Sequence, residues 1–339
     1  MAARVACETE ACGVPTAHSI PVHPHGLAVL IEIRPHPGLE RVLLNFHEML
    51  PRAWPIEFVH GWGNERAVLN SIALQPALSS GALRLRPLSS LAPPEVAKAA
   101  CSALGFVGRA RKHGLAPWNV RAWYNFLLES SIFWAAWDVP SLLLFEVDTA
   151  LCPTPKRSLH HFTEFVMVGA PFGGSGCVDG TTGEAVDESN ALCTGMNSGL
   201  ALWSVPVMRR VVSSPRSPQG NSTAWPSNIM KIPIIDMWYA RLLKLAVTND
   251  PEAADYFGTA DIRVPTQRVA TLFSVSGAYA GNYTPIGVHS PTQAGVFTGW
   301  WAKRPQLWQE LIRRCPAAAH TSFRWHPDPK SEGTRHCKA

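Results

Sequence analysis

An unbroken apolar run, Leu142-Leu143-Leu144-Phe145, leads straight into two acids, Glu146 and Asp148, with the Thr149 hydroxyl alongside. A run with no polar alternation suits a strand buried on both faces, as in the middle of a parallel sheet. Ligands of open α/β sheets lie just beyond the carboxyl ends of such strands. Carboxylates placed there suit a divalent cation that also touches phosphates. In an extended chain Glu146 and Asp148, two positions apart, are expected to point to one side. The blander reading is that one of them caps the following turn, which Asp does well.

The segments before this stretch alternate between strand and helix. Leu27–Ile33, Ile56–His60 and Leu83–Leu88 read as strands, and residues 37–50, 65–74 and 93–104 as helices. Residues 118–137 show the longest helical pattern, and their aromatics Trp123, Phe126, Trp134 and Trp137 read as core rather than as a stacking box. A strand over 142–147 follows. This alternation predicts an α/β chain with a Rossmann-type sheet flanked by helices. No G-x-G-x-x-G follows any of the strands, which argues against a dehydrogenase-type dinucleotide fold.

Beyond Asp148 the pattern changes. Phe165–Ala170 and 201–204 read as further strands, and Pro206 opens a short helix. Residues 173–193 are glycine-rich and acidic, as expected of a surface insertion near a site, and 213–228 read as a Ser/Pro-rich loop. Asp236 begins a helix to about Val247, and 300–315 form an amphipathic terminal helix. The chain is thus expected to divide into an irregular lead-in (1–25), one main α/β domain (26–298) and a C-terminal helix with a polar tail (299–339).

Composition narrows the partners. Hydrophobic residues make up 46% and charged residues 16%, which indicates a packed globule rather than a disordered chain. The net charge is +5, yet no dense Lys/Arg stripe with interleaved aromatics runs through the first 300 residues. Nucleic acid is therefore not an expected partner, whereas a mild positive bias suits an anionic small ligand.

The 8 cysteines form no C-x-x-C pair. Cys7 and Cys12, with His18, His23 and His25, match no standard zinc-finger spacing. Cys177 and Cys193 bracket one loop and are the best candidate for a disulfide. Two sequons, Asn221-Ser222-Thr223 and Asn282-Tyr283-Thr284, matter only on a secretory route. The polar N-terminus lacks the apolar region of a signal peptide, and no transmembrane segment is expected. A cytoplasmic location follows, or a secretory one if the native N-terminus lies upstream.

The order of motifs resembles a family. It runs Tyr124-Asn125…Leu128…Phe133-Trp134, then Leu144-Phe145-x-x-Asp148, Val168-Gly169-Ala170-Pro171, Asn197-x-Gly199-Leu200, Asp236, Ala270-x-x-Phe273-Ser274 and Gly287-x-His289. This order, over roughly residues 27–292, resembles a domain-of-unknown-function family regarded as GT-A-like glycosyltransferases. The resemblance implies a GT-A-like mixed sheet, a nucleotide-diphosphate sugar as donor, and Mn²⁺ or Mg²⁺ as cofactor. It implies a hydroxyl acceptor on a glycan, lipid or protein. Asp148 matches the last acid of a DXD-type motif and Glu146 stands where the first would be. His289 matches a late histidine of the metal shell. Asn197 and Gly199 match the turn lining the donor pocket, and Arg34 sits where the nucleotide lies. Asp236 matches the second acid of a Glu-Asp pair whose first position is here Ile235.

The chemistry is consistent without the family. Glycosyl transfer from a diphosphate leaves negative charge on the departing oxygen, and a cation held by carboxylates neutralises it. Oxygen ligands suit Mg²⁺ and Mn²⁺, and an added imidazole shifts the preference to Mn²⁺. Asp236 at a helix start is either a base for the acceptor hydroxyl or an N-cap. His289 on its own reads as a solvent-facing turn residue before Pro291, and Arg34 as a surface charge at a strand end or a partner for Glu32. The alternative function is a non-catalytic nucleotide-sugar or carbohydrate-binding protein of the same fold. A metal-dependent phosphohydrolase ranks last, because it needs a denser set of Asp and His ligands.

Overall fold

The computed structural model describes residues 25–32, 36–61, 64–91, 124, 127–153, 158–172, 177–178, 190–217, 235–276, 279–289 and 304–321. Its strands in chain order are β1 (Leu27–Glu32), β2 (Ile56–His60), β3 (Leu83–Pro87), β4 (Ser141–Phe145), β5 (Thr149–Leu151) and β6 (Met167–Pro171). They continue with β7 (Cys177–Val178), β8 (Leu192–Cys193), β9 (Met196–Ser204), β10 (Ser274–Val275) and β11 (Gly287–His289).

The main sheet has six strands in the order β3-β2-β1-β4-β9-β6. The β3-β2-β1-β4 part is parallel, while β9 runs antiparallel to both β4 and β6. The result is a mixed α/β sheet flanked by helices. Strand order reverses between β1 and β4, the place where such sheets open a crevice beyond their carboxyl ends. The apolar run Leu142–Phe145 occupies β4 between β1 and β9 and is buried throughout. This is why it carries no polar alternation.

Helix Leu39–Met49 packs on the sheet through Leu39, Val42, Leu43 and Phe46, which recur at helical spacing. Phe46 stacks on Phe145, with ring centroids 3.7 Å apart, directly beneath the acidic turn. Burying one such side chain contributes about 1.5–3 kcal/mol. On the antiparallel side, helix Ile235–Val247 buries Ile235, Trp238, Tyr239, Leu242 and Leu243. Its Tyr239 ring meets Trp203 of β9 edge-on at 4.8 Å. Trp134 and Trp137 are fully buried, as the core reading of their helical spacing expects.

A second sheet, β10-β11-β5, sits beside the first, with β11 antiparallel to β5. Cys152, just after β5, is bonded to Cys315 at the end of helix Pro305–Arg314. Val275, Tyr279, Val288, Leu311 and Ala318 pack around this bond. Asn45 clamps β5 from the other side: its Nδ2 donates to the Leu151 carbonyl at 3.1 Å, and its Oδ1 accepts from the Leu151 amide at 2.7 Å. A second disulfide joins Cys177 and Cys193 across the β7–β8 ribbon, the pair that the sequence favours. The Cys152–Cys315 bond has no local sequence signal.

Some expected boundaries move, for identifiable reasons. The helix expected over 65–74 splits into Glu65–Leu69 and Gln75–Ser79. The Ser71 hydroxyl accepts from the Leu74 amide, and Pro76 fits only in a first turn. The pattern over 118–137 is not one helix: Ser130 is extended, at φ −85° and ψ 129°, and precedes a separate turn Ser131–Ala135. The segment at 197–200, read as leading into a strand, belongs to β9 itself and carries a register shift opposite Gly169 and Ala170. Residues 1–24 of the lead-in, the helix expected at 93–104, Trp123 and Phe126, most of the 173–193 insertion, residues 218–228 of the Ser/Pro loop and the tail beyond 321 lie outside the described residues. Among the described residues no helix is long and apolar enough to cross a membrane.

Candidate functional site

The β4 strand ends at Phe145, so Glu146 and Asp148 are not in extended chain as expected. They occupy a tight turn. The Thr149 amide and hydroxyl both donate to the Glu146 carbonyl, at 3.2 and 2.6 Å. The Glu146 amide donates to the Gly199 carbonyl of β9 at 2.9 Å, which fixes the turn to the sheet. Both carboxylates nevertheless face the same neighbour, because the turn closes directly into β5.

That neighbour is His289. In the β5–β11 pairing Thr149 stands opposite His289, so the strand that leaves the acidic turn delivers the imidazole back to it. Nε2 lies 3.5 Å from Glu146 Oε2 and 3.6 Å from Asp148 Oδ1. Nδ1 is 3.4 Å from the Ser276 hydroxyl, which fixes the ring from behind. His289 is only 5% exposed, so it is not the solvent-facing turn residue that its position before Pro291 suggests.

Gly199 makes room for this ring. A Cβ at position 199 would run into the His289 imidazole, with Nε2 its nearest atom. The Gly199 amide is held by Asn197 Oδ1 at 2.7 Å. Asn197 and Gly199 therefore shape the wall behind His289.

Burial opposes a charge on His289, but Asp148 and Glu146 outweigh it and raise the imidazole above its ordinary value, with Asp236 adding to the effect. The charges of the two carboxylates that a metal ion would share thus favour the protonated imidazole when no ion is bound.

Asp236 lies in the first turn of helix Ile235–Val247 and is buried. Its Oδ1 accepts from the Ser198 amide of β9 at 3.0 Å, so this oxygen ties the helix to the site strand. Burial pushes its carboxyl up, Ser198 partly offsets this, and the Glu146 charge adds to the rise. A carboxylate raised in this way is better matched to accepting a proton near neutral pH than an ordinary one.

Tyr124 is within electrostatic reach of the same acids. Its hydroxyl oxygen is buried and has no hydrogen-bond partner among the described residues. Burial holds the phenol well above its ordinary range, and the charges of Glu146, Asp236 and Asp148 push the same way. The sequence offers Tyr124 as the first residue of the motif order that carries the family resemblance, with no role assigned to its hydroxyl. Ser198 and Ser276 are likewise silent in the sequence, because they act through the fold. Arg34 lies outside the described residues.

The donor atoms suit a cation. One oxygen each of Glu146 and Asp148 and one nitrogen of His289 all lie within 4.8 Å of one another. Adjacent ligands of an octahedral Mg²⁺ or similar ion stand about 3 Å apart. The 3.5 and 3.6 Å separations need only a small contraction to reach this. Among the described residues His289 Nε2 has no hydrogen-bond partner, as expected of a nitrogen that takes a ligand. Two carboxylates with one imidazole favour Mn²⁺ over Mg²⁺.

A family model described as "Protein of unknown function (DUF5672)" matches residues 118–289, just over half of the chain. The chain belongs to this family. The matched segment contains Tyr124, Glu146, Asp148, Asn197, Gly199 and Asp236 and ends at His289. No curated protein matches the sequence. Among solved structures, apo mouse xyloside xylosyltransferase 1 aligns at TM-score 0.39 and 11% identity, over 80% of this chain and 98% of that one. The PaToxG glycosyltransferase aligns at TM-score 0.29 and 7% identity, over 68% and 79%. Core-mannan synthase A from Aspergillus fumigatus, in a Mn/GDP form, aligns at TM-score 0.30 and 9% identity, over 72% and 68%. All three scores lie below 0.5, so the chain's own geometry must carry the functional reading.

Proposed function

We propose that this chain is a metal-dependent glycosyltransferase that moves a sugar from a nucleotide-diphosphate donor to a hydroxyl acceptor. The observation that carries the reading is the convergence of Glu146, Asp148 and His289 Nε2 at the carboxyl end of β4. This is where α/β sheets take nucleotide ligands. The resemblance in motif order supports the same reading.

Glu146, Asp148 and His289 are assigned to hold Mn²⁺ or Mg²⁺. When bound, the ion supplies Lewis-acid stabilisation of the charge that builds on the departing diphosphate. The protein's own residues do the rest. Asn197 and Gly199 hold the wall of the donor pocket, and Gly199 keeps the imidazole in line. Arg34 is assigned to the nucleotide on the resemblance alone. Asp236, with one oxygen fixed by Ser198, is assigned as the base that takes the acceptor hydroxyl's proton.

Incubating the protein with UDP- and GDP-sugars and Mn²⁺ and assaying donor consumption tests the reading. Wild type should consume at least one donor in a chelator-sensitive way. Asp236→Asn keeps an oxygen for the Ser198 amide, so it should bind donor like wild type but turn over about 10²–10⁴-fold more slowly. Donor binding without consumption against any acceptor would favour a non-catalytic nucleotide-sugar binder. The single acid after Ile235 is the feature that supports this second reading.

A further inference from the structure

All four cysteines among the described residues are paired, Cys152 with Cys315 and Cys177 with Cys193. Each of them is buried. Disulfides form and persist in oxidising compartments and are rare in the cytosol. On a route through such a compartment the Asn282-Tyr283-Thr284 sequon is an acceptor motif for an N-linked glycan.

A glycan is bulky and needs its asparagine on the surface. Asn282 is exposed, in the turn between β10 and β11. The turn is held by other groups. The Asn282 backbone N–H donates to Glu310 Oε1 at 3.1 Å, and Arg314 Nε donates to the same oxygen at 2.9 Å. The Tyr279 hydroxyl donates to the Tyr283 carbonyl at 2.6 Å, and both rings pack on the small core around the Cys152–Cys315 bond. Among the described residues no hydrogen bond engages the Asn282 side-chain amide. The amide is therefore spare on a rigid turn, and a glycan on it displaces nothing. Gly281 and Asn282 are both left-handed, at φ 81° and 64°. Asparagine tolerates that backbone, so the turn alone accounts for its presence. The turn does not account for the threonine two positions on, nor for two buried disulfides. The Asn221 sequon lies outside the described residues.

We propose that Asn282 is an N-linked glycosylation site, and that the chain matures in the oxidising compartment where its disulfides close. The co-substrate is a lipid-diphosphate-linked oligosaccharide. Asn282 Nδ2 bonds to the anomeric carbon as the bond from that carbon to the diphosphate oxygen breaks. The lipid diphosphate leaves with the electron pair, and one amide proton passes to a base of the cell's transferase. The product is still a neutral amide, so the backbone bond to Glu310 persists. This inference is independent of the glycosyl-transfer reading of the acidic turn, because here the chain is the acceptor.

The test uses the full chain, tagged at its C-terminus and isolated from its own cells. Peptide-N-glycosidase digestion in heavy-oxygen water, followed by mass spectrometry, should find Asn282 converted to a labelled aspartate. Mapping without reduction should recover Cys152 linked to Cys315. Asn282→Asp keeps a side chain that tolerates the left-handed turn but removes the acceptor nitrogen. It should run one glycan smaller than wild type before glycosidase treatment and level with it afterwards. Thr284→Ser keeps the motif and should keep the glycan. A glycan on Asn221 would remain in both variants and does not confuse the comparison.

An unmodified Asn282 in the chain isolated from its own cells would overturn the proposal, whatever the state of Asn221. Recovery of Cys152 and Cys315 as free thiols would also overturn it, by removing the oxidising compartment on which it rests. If Asn282→Asp fails to accumulate, the wild-type peptide map still decides.

Discussion

Two clusters of charged side chains sit at the main sheet and just beyond it, and they are built on opposite terms. On β2 and β3, the Glu57 carboxylate is buried and pairs with Arg86, whose guanidinium lies over the Trp137 ring at 4.7 Å. That group is closed: the acid has its cation, and the cation has an aromatic face. Beyond β4, the charged side chains that bear on His289 are Asp148, Glu146 and Asp236, all acidic. There, among the described residues, His289 Nε2 is left without a hydrogen bond. Buried charge satisfied within the fold serves the fold. Buried polar groups that converge without mutual satisfaction are arranged for something that arrives.

The contrast is best broken first at the closed group. Arg86→Met leaves Glu57 buried without its partner and should destabilise the chain by roughly 3–5 kcal/mol. Denaturant unfolding measures this, and Mn²⁺ affinity should not change. If Arg86→Met weakened Mn²⁺ binding without loss of stability, the division between the two groups would fail.

The next largest effect is expected at Gly199. Gly199→Ala drives a methyl group into the His289 ring and should cost about 1–3 kcal/mol in stability, as overpacking does. It should also lower Mn²⁺ affinity on the order of 10–100-fold by displacing the ligand. Adding His289→Ala to the same chain should restore much of the stability but none of the metal binding. Calorimetry and melting of both variants would sharpen the claim that this glycine exists for that histidine.

The smallest effect is expected away from both groups. Glu252→Gln breaks the surface pair with Arg241, at 3.0 Å, and should change stability by no more than about 1 kcal/mol. A larger loss would mean that surface pairs carry weight here that the comparison assigns to the interior.

The two groups also differ in how far the sequence reveals them. Leu142–Phe145 announces a buried strand, and the acids after it announce a ligand end, since both signals are local. The periodicity of Leu39, Val42, Leu43 and Phe46 fixes a helix for the same reason. His289 is different. Only its family-like position marks it, because the β5–β11 register that sets it opposite Thr149 joins segments far apart in the chain. The Cys152–Cys315 bond depends on the docking of the terminal helix, which no local spacing encodes. Ser130 breaks a helical pattern that hydrophobic spacing alone would continue.

The central claim is that the acidic turn after β4 binds a cation together with a diphosphate. Calorimetry of UDP and GDP, with and without Mn²⁺, on wild type and on Asp148→Asn tests it most directly. The account predicts Mn²⁺-dependent binding to wild type, weakened at least on the order of 100-fold in Asp148→Asn, with the melting temperature preserved. Nucleotide binding that is indifferent both to Mn²⁺ and to Asp148 would contradict it, and would move the nucleotide pocket away from the strand end where Glu146, Asp148 and His289 meet.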